Sequence, residues 1–293
     1  MPAEAEDRWT VGRLLTWTKD FLQKKGSESP RLDAEVLLAA VMKCQRVNLY
    51  TQYEDEVSEA HRSSFRTLVK RRAEGAPVAY LVGTKEFYRL RFHVSPAVLI
   101  PRGDSETVVV EALARLKGMA TPRAVDVGTG SGCLALACAD QHKTVRFVAI
   151  DISPEALEVA RGNAEKHNLE ARVEFRQGDL LEPVAQDEPF DLILSNPPYI
   201  ATDVIPTLDA TVTKYEPHLA LDGGPDGLRV VIRLIEEAVP LLKPGGHLIL
   251  EIGYGQEGPV RRLVEAQPEL MLSPTIRDAA NRPRVIHASK KGG

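Results

Sequence analysis

Asn196-Pro197-Pro198-Tyr199 closes an apolar run, Phe190 to Leu194, with a side-chain amide, two prolines and a phenol. Each proline fixes its own φ and drives the preceding residue toward extended backbone, so Asn196 and Pro197 have little freedom left. The Asn196 side-chain oxygen and the Pro197 main-chain carbonyl then make two directed acceptors on a rigid turn, a device for gripping a planar NH2 group. Such a nitrogen is a poor nucleophile because its lone pair is delocalised. Two acceptors turn that lone pair in line with a breaking bond, and both hydrogen bonds strengthen as positive charge builds on nitrogen. No strong base is required. Pro198 completes the turn, and Tyr199 offers an aromatic face to the substrate plane or to a cation. Glutamine amide, adenine and cytosine all fit this grip.

A second cluster names the donor. An apolar strand, Ala124 to Val127, runs into Asp126-Val127-Gly128-Thr129-Gly130-Ser131-Gly132, and a helix is expected from Cys133. The third glycine falls two positions after the second, not the three of a dinucleotide fingerprint. Asp126 would repel a pyrophosphate but attract the ammonium of S-adenosylmethionine, which carries no phosphate. Nineteen residues past Gly132, Asp151 ends the next strand, placed for its carboxylate to accept both ribose hydroxyls. Asp179, after the third strand, is placed to accept from the adenine amino group. Each acid alone also reads as a cap or turn residue, and Ser153-Pro154 is itself a helix start. At the ends of successive strands of one open sheet they read together as a cofactor site.

Positioning these residues requires an α/β scaffold. Apolar strands at Ala124 to Val127, Phe147 to Ile150, Val173 to Phe175, Phe190 to Leu194 and His247 to Ile252 alternate with helical segments, which predicts a parallel sheet. A last strand is expected at Val285 to Ala288, and a frayed tail from Lys290 to Gly293. Before the sheet, Thr84 to Ile100 reads as a β-hairpin linker. The amino-terminal stretch reads as three helices. The first buries Val11, Leu14, Leu15, Thr18, Phe21 and Leu22, and the second, capped by Ser29-Pro30, buries Leu32, Val36, Ala39 and Ala40. The third spans Ser58 to Arg72, with Ala60, Phe65, Leu68 and Val69 inward.

The 293 residues suit two domains, and 43% hydrophobic with 27% charged residues is ordinary for a soluble protein. Met1 to Asp7 is acidic and lacks a secretory pattern, so no export is expected. Cys44, Cys133 and Cys138 show no metal-ligand spacing and fit free thiols in the cytoplasm; no metal is expected. A net charge of −4 argues against a nucleic-acid coat.

Over nearly its full length the chain resembles the peptide chain release factor glutamine methyltransferases, the HemK or PrmC family. The resemblance rests on Pro77 to Gly83, Val98-Leu99-Ile100-Pro101-Arg102, the Asp126 to Gly132 loop, Asp151 to Leu157 and Phe190 to Ile200. It continues through Tyr215-Glu216-Pro217, Ala220 to Gly224, Asp226-Gly227-Leu228 and Glu251-Ile252-Gly253. It implies a class I S-adenosylmethionine-dependent methyltransferase, Rossmann-like with a seven-stranded, mostly parallel sheet. The domains would be a helical substrate-docking domain over 1–83, the hairpin linker over 84–101 and the methyltransferase domain over 102–293. It further implies methyl transfer to N5 of the glutamine in the Gly-Gly-Gln motif of release factors, gripped by Asn196, Pro197, Pro198 and Tyr199; separately, a monomer is expected. Cofactor contacts carried over are Gly128, Thr129, Gly130, Ser131, Gly132, Asp151, Leu180 and Asn196.

At two places the chain departs from that pattern. Gly103 stands where the family usually has proline, before Asp104, Ser105 and Glu106, and Leu180 replaces an aromatic residue that some members place against adenine. Losing the proline is expected to loosen its turn. From Ser58 to Arg91, eight basic residues face three acids, a local charge of +5 that reads as a solvated helix face or as a docking surface for a release factor. A DNA or RNA adenine methyltransferase using the same tetrapeptide is the competing reading. It lacks support from a target-recognition region or a basic cleft.

Overall fold

Two helices in the amino-terminal stretch begin where a hydroxyl caps them, whereas Ser29, the expected cap of the second helix, makes no side-chain cap bond to it. In the computed structural model, which describes residues 8–292, Thr10 accepts from the Arg13 N–H at the head of helix Val11–Lys24. Ser58 does the same for His61 at the head of Glu59–Ala73. Met1 to Asp7 and Gly293 lie outside the described residues. The chain divides into two units, Met1–Gly83 and Thr84–Gly293.

The second helix, Pro30–Met42, turns a different face inward from the one its pattern suggests. Of Leu32, Val36, Ala39 and Ala40 only Ala39 is buried, while Asp33, Ala34, Glu35, Leu37 and Leu38 face the core. The carboxylates can be buried because each finds cations. Asp33 accepts from Arg72 at 2.7 Å, and Glu35 takes Arg31, Arg46 and the Tyr50 hydroxyl. A pattern that scores charge as outward-facing misses such pairs.

In the second unit, β1 (Thr84–Phe87) and β2 (Leu90–His93) form an antiparallel hairpin. Asn163, fully buried, ties it down: its side chain bonds the N–H and C=O of His93 and also the C=O of Ser131. The main sheet comprises β3 (Arg123–Val127), β4 (Arg146–Asp151), β5 (Val173–Gln177), β6 (Phe190–Ser195), β7 (Leu242–Glu251), β8 (Leu270–Leu272), β9 (Ile276–Arg277) and β10 (Pro283–Lys290). Its order is β5-β4-β3-β6-β7-β10-β8, with the two-residue β9 also beside β10. The first five strands in this order run parallel, and β10 pairs antiparallel with its three neighbours. Apolar runs in β3, β4 and β6 mark strands covered on both faces. The tail is not frayed at Lys290 and Lys291. Lys290 is in β10 with its Nζ on the Val239 carbonyl at 2.8 Å, and the Lys291 N–H bonds the Glu269 carbonyl.

A polar pair joins the neighbouring strands β7 and β10, its His287 buried and its His247 half-buried. His247 Nδ1 lies 3.0 Å from His287 Nε2, whose ring also faces Glu111 beside Arg115. Burial, then the neighbouring His247 and Arg115, push His287 down from 6.5 to about 4. The unfolded chain therefore binds a proton that the folded one refuses between those values, so this site's stability is present above 6.5 and lost as pH falls toward 4. Buried acids raised to about 7, Asp126 and Glu251, work in the opposite direction over the same range. The comparison with His287→Gln isolates the histidine: the urea midpoint of the wild type should fall more steeply than the variant's between pH 6.5 and 4.5. Parallel curves would show that His287 is not held neutral.

Candidate active site

The register of the sheet brings the two clusters together. Val127 pairs with Ser195 across β3 and β6, and the Ser195 hydroxyl donates to the Val127 carbonyl at 2.7 Å. Gly128 and Asn196 are thus the next residues of adjacent strands, at the point where the sheet order reverses and open α/β sheets bind ligands. A cavity of about 360 Å³ opens there, lined by Gly128, Thr129, Gly130, Ser131, Asp151, Asp179, Leu180, Asn196 and Pro198 among others. Ala97, Leu99 and Leu219 add apolar wall.

Gly130 has φ +55 and no atom within 4 Å of where a Cβ would stand, so the loop keeps open space that a side chain would fill. Asp151 holds it there: Oδ2 accepts from the Gly130 N–H at 2.8 Å and Oδ1 from the Ser153 N–H at 3.0 Å. Both oxygens already carry a backbone bond, and each keeps a further lone pair for a ligand hydroxyl. Burial raises the pKa of Asp151, opposed by those same N–H groups.

Asp126 does not line the cavity. It is fully buried beneath the loop, where Oδ2 takes the Thr129 hydroxyl at 2.7 Å and the Ala135 N–H at 3.2 Å, while Oδ1 has no partner among the described residues. Burial pushes it up to about 7. It shapes the loop from below. Gly132 also lies off the cavity wall, packed against Leu136 and Ala160 at the head of helix Cys133–Gln141. Asp179 lines the wall but pairs with Arg233 at 2.9 Å, and Leu180 stands at φ +48 against the core. Cys133 reaches the cavity with its thiol pushed up to about 12 by burial, which leaves it unreactive.

In the tetrapeptide, Asn196 lines the cavity, with its Nδ2 donating to Ser105 Oγ at 3.2 Å. Its Oδ1 is thereby turned the other way. Pro197 is buried, and among the described residues its carbonyl accepts no hydrogen bond. Tyr199 corrects the sequence expectation of a ring laid on the substrate. It is absent from the cavity wall, its hydroxyl points at Glu251 Oε1 (3.4 Å), and its ring abuts Gly253. Burial and the Glu251 charge push its hydroxyl up to about 12. Gln256 Nε2 holds the Tyr199 carbonyl at 3.0 Å, so the turn is braced from behind.

Beside Gly103, Arg102 is paired with the buried Glu216, and Asp104 with Arg282 at 3.2 Å and Arg284 at 3.1 Å, so ion pairs flank the turn on both sides. Sequence reasoning missed Ser105, Glu251, Asn163 and Gln256 as site residues. Only Glu251 carried a signal, as an acid ending the apolar run Leu248-Ile249-Leu250.

Comparison with known proteins agrees in both halves of the chain. A family profile described as the PrmC N-terminal domain matches residues 13–83, and one described as a methyltransferase domain matches 120–279. A release factor glutamine methyltransferase of Rhodopirellula baltica is 44% identical over 96% of this chain and 97% of its own. One of Geobacter sulfurreducens is 44% identical over 86% and 87%. A solved methyltransferase from Pyrococcus furiosus superposes with a TM-score of 0.51 at 21% identity, over 79% of this chain and all of its own, a likeness of fold.

Proposed function

The chain belongs to the release factor glutamine methyltransferase family, and from that premise we propose that it methylates N5 of the Gly-Gly-Gln glutamine of peptide chain release factors, using S-adenosylmethionine. One observation carries the chemistry: Asn196 stands beside the glycine loop with its NH2 occupied by Ser105 and its oxygen left for an incoming N–H. The open cradle at Gly130 and the carboxylate of Asp151 fit a nucleoside that carries no phosphate. Bound there, the cofactor supplies an electrophilic methyl group on a sulfonium.

The protein's own part is orientation. Asn196 Oδ1 and the Pro197 carbonyl take one N–H each, and Pro198 stiffens the turn between them and Tyr199. Both acceptors gain strength as the nitrogen becomes positive, so they favour the transition state over the bound substrate. Tyr199 serves as a brace through Glu251. A substrate among the translation factors supports a cytoplasmic site of action. Among the described residues no helix is long and apolar enough to cross a membrane.

Methyl transfer from labelled cofactor to purified release factors tests this, with Gln→Ala factor variants and DNA alongside. Label is expected on the wild-type factor alone. Label on DNA, or on the Gln→Ala variant, would overturn the assignment.

We assign docking to the basic helix of the first unit. Among its cations Arg62 is paired with Glu59 and Arg72 with Asp33, while Arg66, Lys70 and Arg71 have no acid partner among the described residues. Charge reversal at those three should lower kcat/KM for the intact factor about tenfold at low salt, and less at high salt. A short Gly-Gly-Gln peptide should be unaffected. Equal rates on the intact factor would end the docking idea.

A further inference from the structure

Resting on the reading that this chain methylates a glutamine amide, we propose that Ser105 is a positioning residue that fixes which way the Asn196 amide faces, under the control of Glu251. Three elements meet at this point. Asn196 follows β6 and Glu251 ends β7, and the pairing of Ser195 with Leu250 sets the two at one level of the sheet. Ser105 comes to them from the turn before helix Glu106–Leu116.

An asparagine amide has nearly the same shape either way round, so its hydrogen bonds decide which end meets the substrate. A serine oxygen both gives and takes, and alone it would not choose. Glu251 makes the choice. Its Oε2 has no hydrogen-bond partner among the described residues and is the acceptor toward which the Ser105 proton turns, which leaves lone pairs toward Asn196 and the amide presents Nδ2 to them. Oδ1 is then left for the substrate. In the flipped amide two oxygens would confront each other at Ser105, and an N–H would meet the substrate's own N–H.

The surroundings hold Glu251 to this task. Tyr199 reaches it from the tetrapeptide, Arg284 supplies positive charge from β10, and Asp104 supplies negative charge from the turn that carries Ser105. Ser105 is 2% exposed and Glu251 is 1% exposed, so water is kept from replacing either one. Burial raises Glu251 to about 7, opposed first by the Ser105 hydroxyl and then by Arg284. Protonation below that pH adds a proton to the chain of hydrogen bonds and removes the preference for one amide orientation.

The test compares Ser105→Ala and Ser105→Thr with the wild type on an intact release factor. Ser105→Ala should lower kcat roughly 30-fold, somewhat less than the ~10²-fold of a misplaced reacting group. Cofactor affinity and melting temperature should stay at wild-type values. Ser105→Thr keeps the hydroxyl and should recover kcat to within about threefold. Turnover of Ser105→Ala within twofold of wild type overturns the proposal, as does a Thr variant as slow as the Ala one. Should Ser105→Ala not fold, Glu251→Gln decides: removing the carboxylate should lower kcat about tenfold at unchanged cofactor affinity, and a wild-type kcat refutes the role. A wild-type enzyme inactive on every release factor would instead sink the functional reading, so the two failures are distinguishable.

Discussion

Asn196→Ala should lower kcat on a release factor by about 10³-fold while leaving cofactor affinity within about threefold of the wild type. Removing one directed hydrogen-bonding group from a preorganised site costs roughly 10² to 10³ in turnover, and here the lost oxygen is one of only two proposed acceptors. The separation of kcat from affinity follows from the sheet. The cradle is built from the loop after β3 and from Asp151, and neither bonds to the Asn196 side chain, whose one partner among the described residues is Ser105. Single-turnover rates at saturating cofactor, with the cofactor Kd from calorimetry, make the measurement. An unchanged rate would remove the amide grip from the mechanism, and an equal loss in affinity would recast Asn196 as a cofactor contact alone.

The central sheet was legible because its strands are apolar runs that end in chemistry: Asp151, Asp179 and Asn196 mark the ends of β4, β5 and β6. Those same transitions gave most of the cavity wall. What pattern could not show were relations across long stretches of chain. Ser105 and Asn196 meet over 91 residues, and Asn163 joins the hairpin to the glycine loop across 70 and 32 residues. The buried Asp33 and Glu35 reversed the inward face of the second helix because their cations lie elsewhere in sequence. β8 and β9 were missed since strands of three and two residues carry too little alternation to register.

Asp126 shows how a residue expected in one role is placed in another. Its charge was expected at the cofactor, yet burial raises it to about 7 and its Oδ2 serves the loop's own Thr129 and Ala135. Of the carboxylates on the cavity wall, Asp151, one strand away, is the one that also holds the glycine loop, through the Gly130 N–H. Affinity for the cofactor should therefore rest on Asp151.

Asp151→Ala is accordingly expected to raise the cofactor Kd about 100-fold, or about 2.7 kcal/mol, while kcat at saturation stays within about threefold. Two losses add in this variant. The ribose hydroxyls lose their acceptor, and the N–H groups of Gly130 and Ser153 lose theirs, so the loop leaves the conformation that keeps the cradle open. Asp151→Asn separates the two, since one oxygen remains while the other position now offers N–H to N–H; a rise of about tenfold is expected. Turnover survives because the grip on the acceptor is built on β6, whose ladder with β3 does not use the Asp151 side chain. Calorimetry against the cofactor, paired with saturation kinetics, reads both quantities. An unchanged Kd would mean that the loop holds its shape without Asp151 and that the ribose is bound elsewhere. A collapse of kcat at saturation would mean that the two halves of the site, adjacent in the sheet, are also coupled in catalysis.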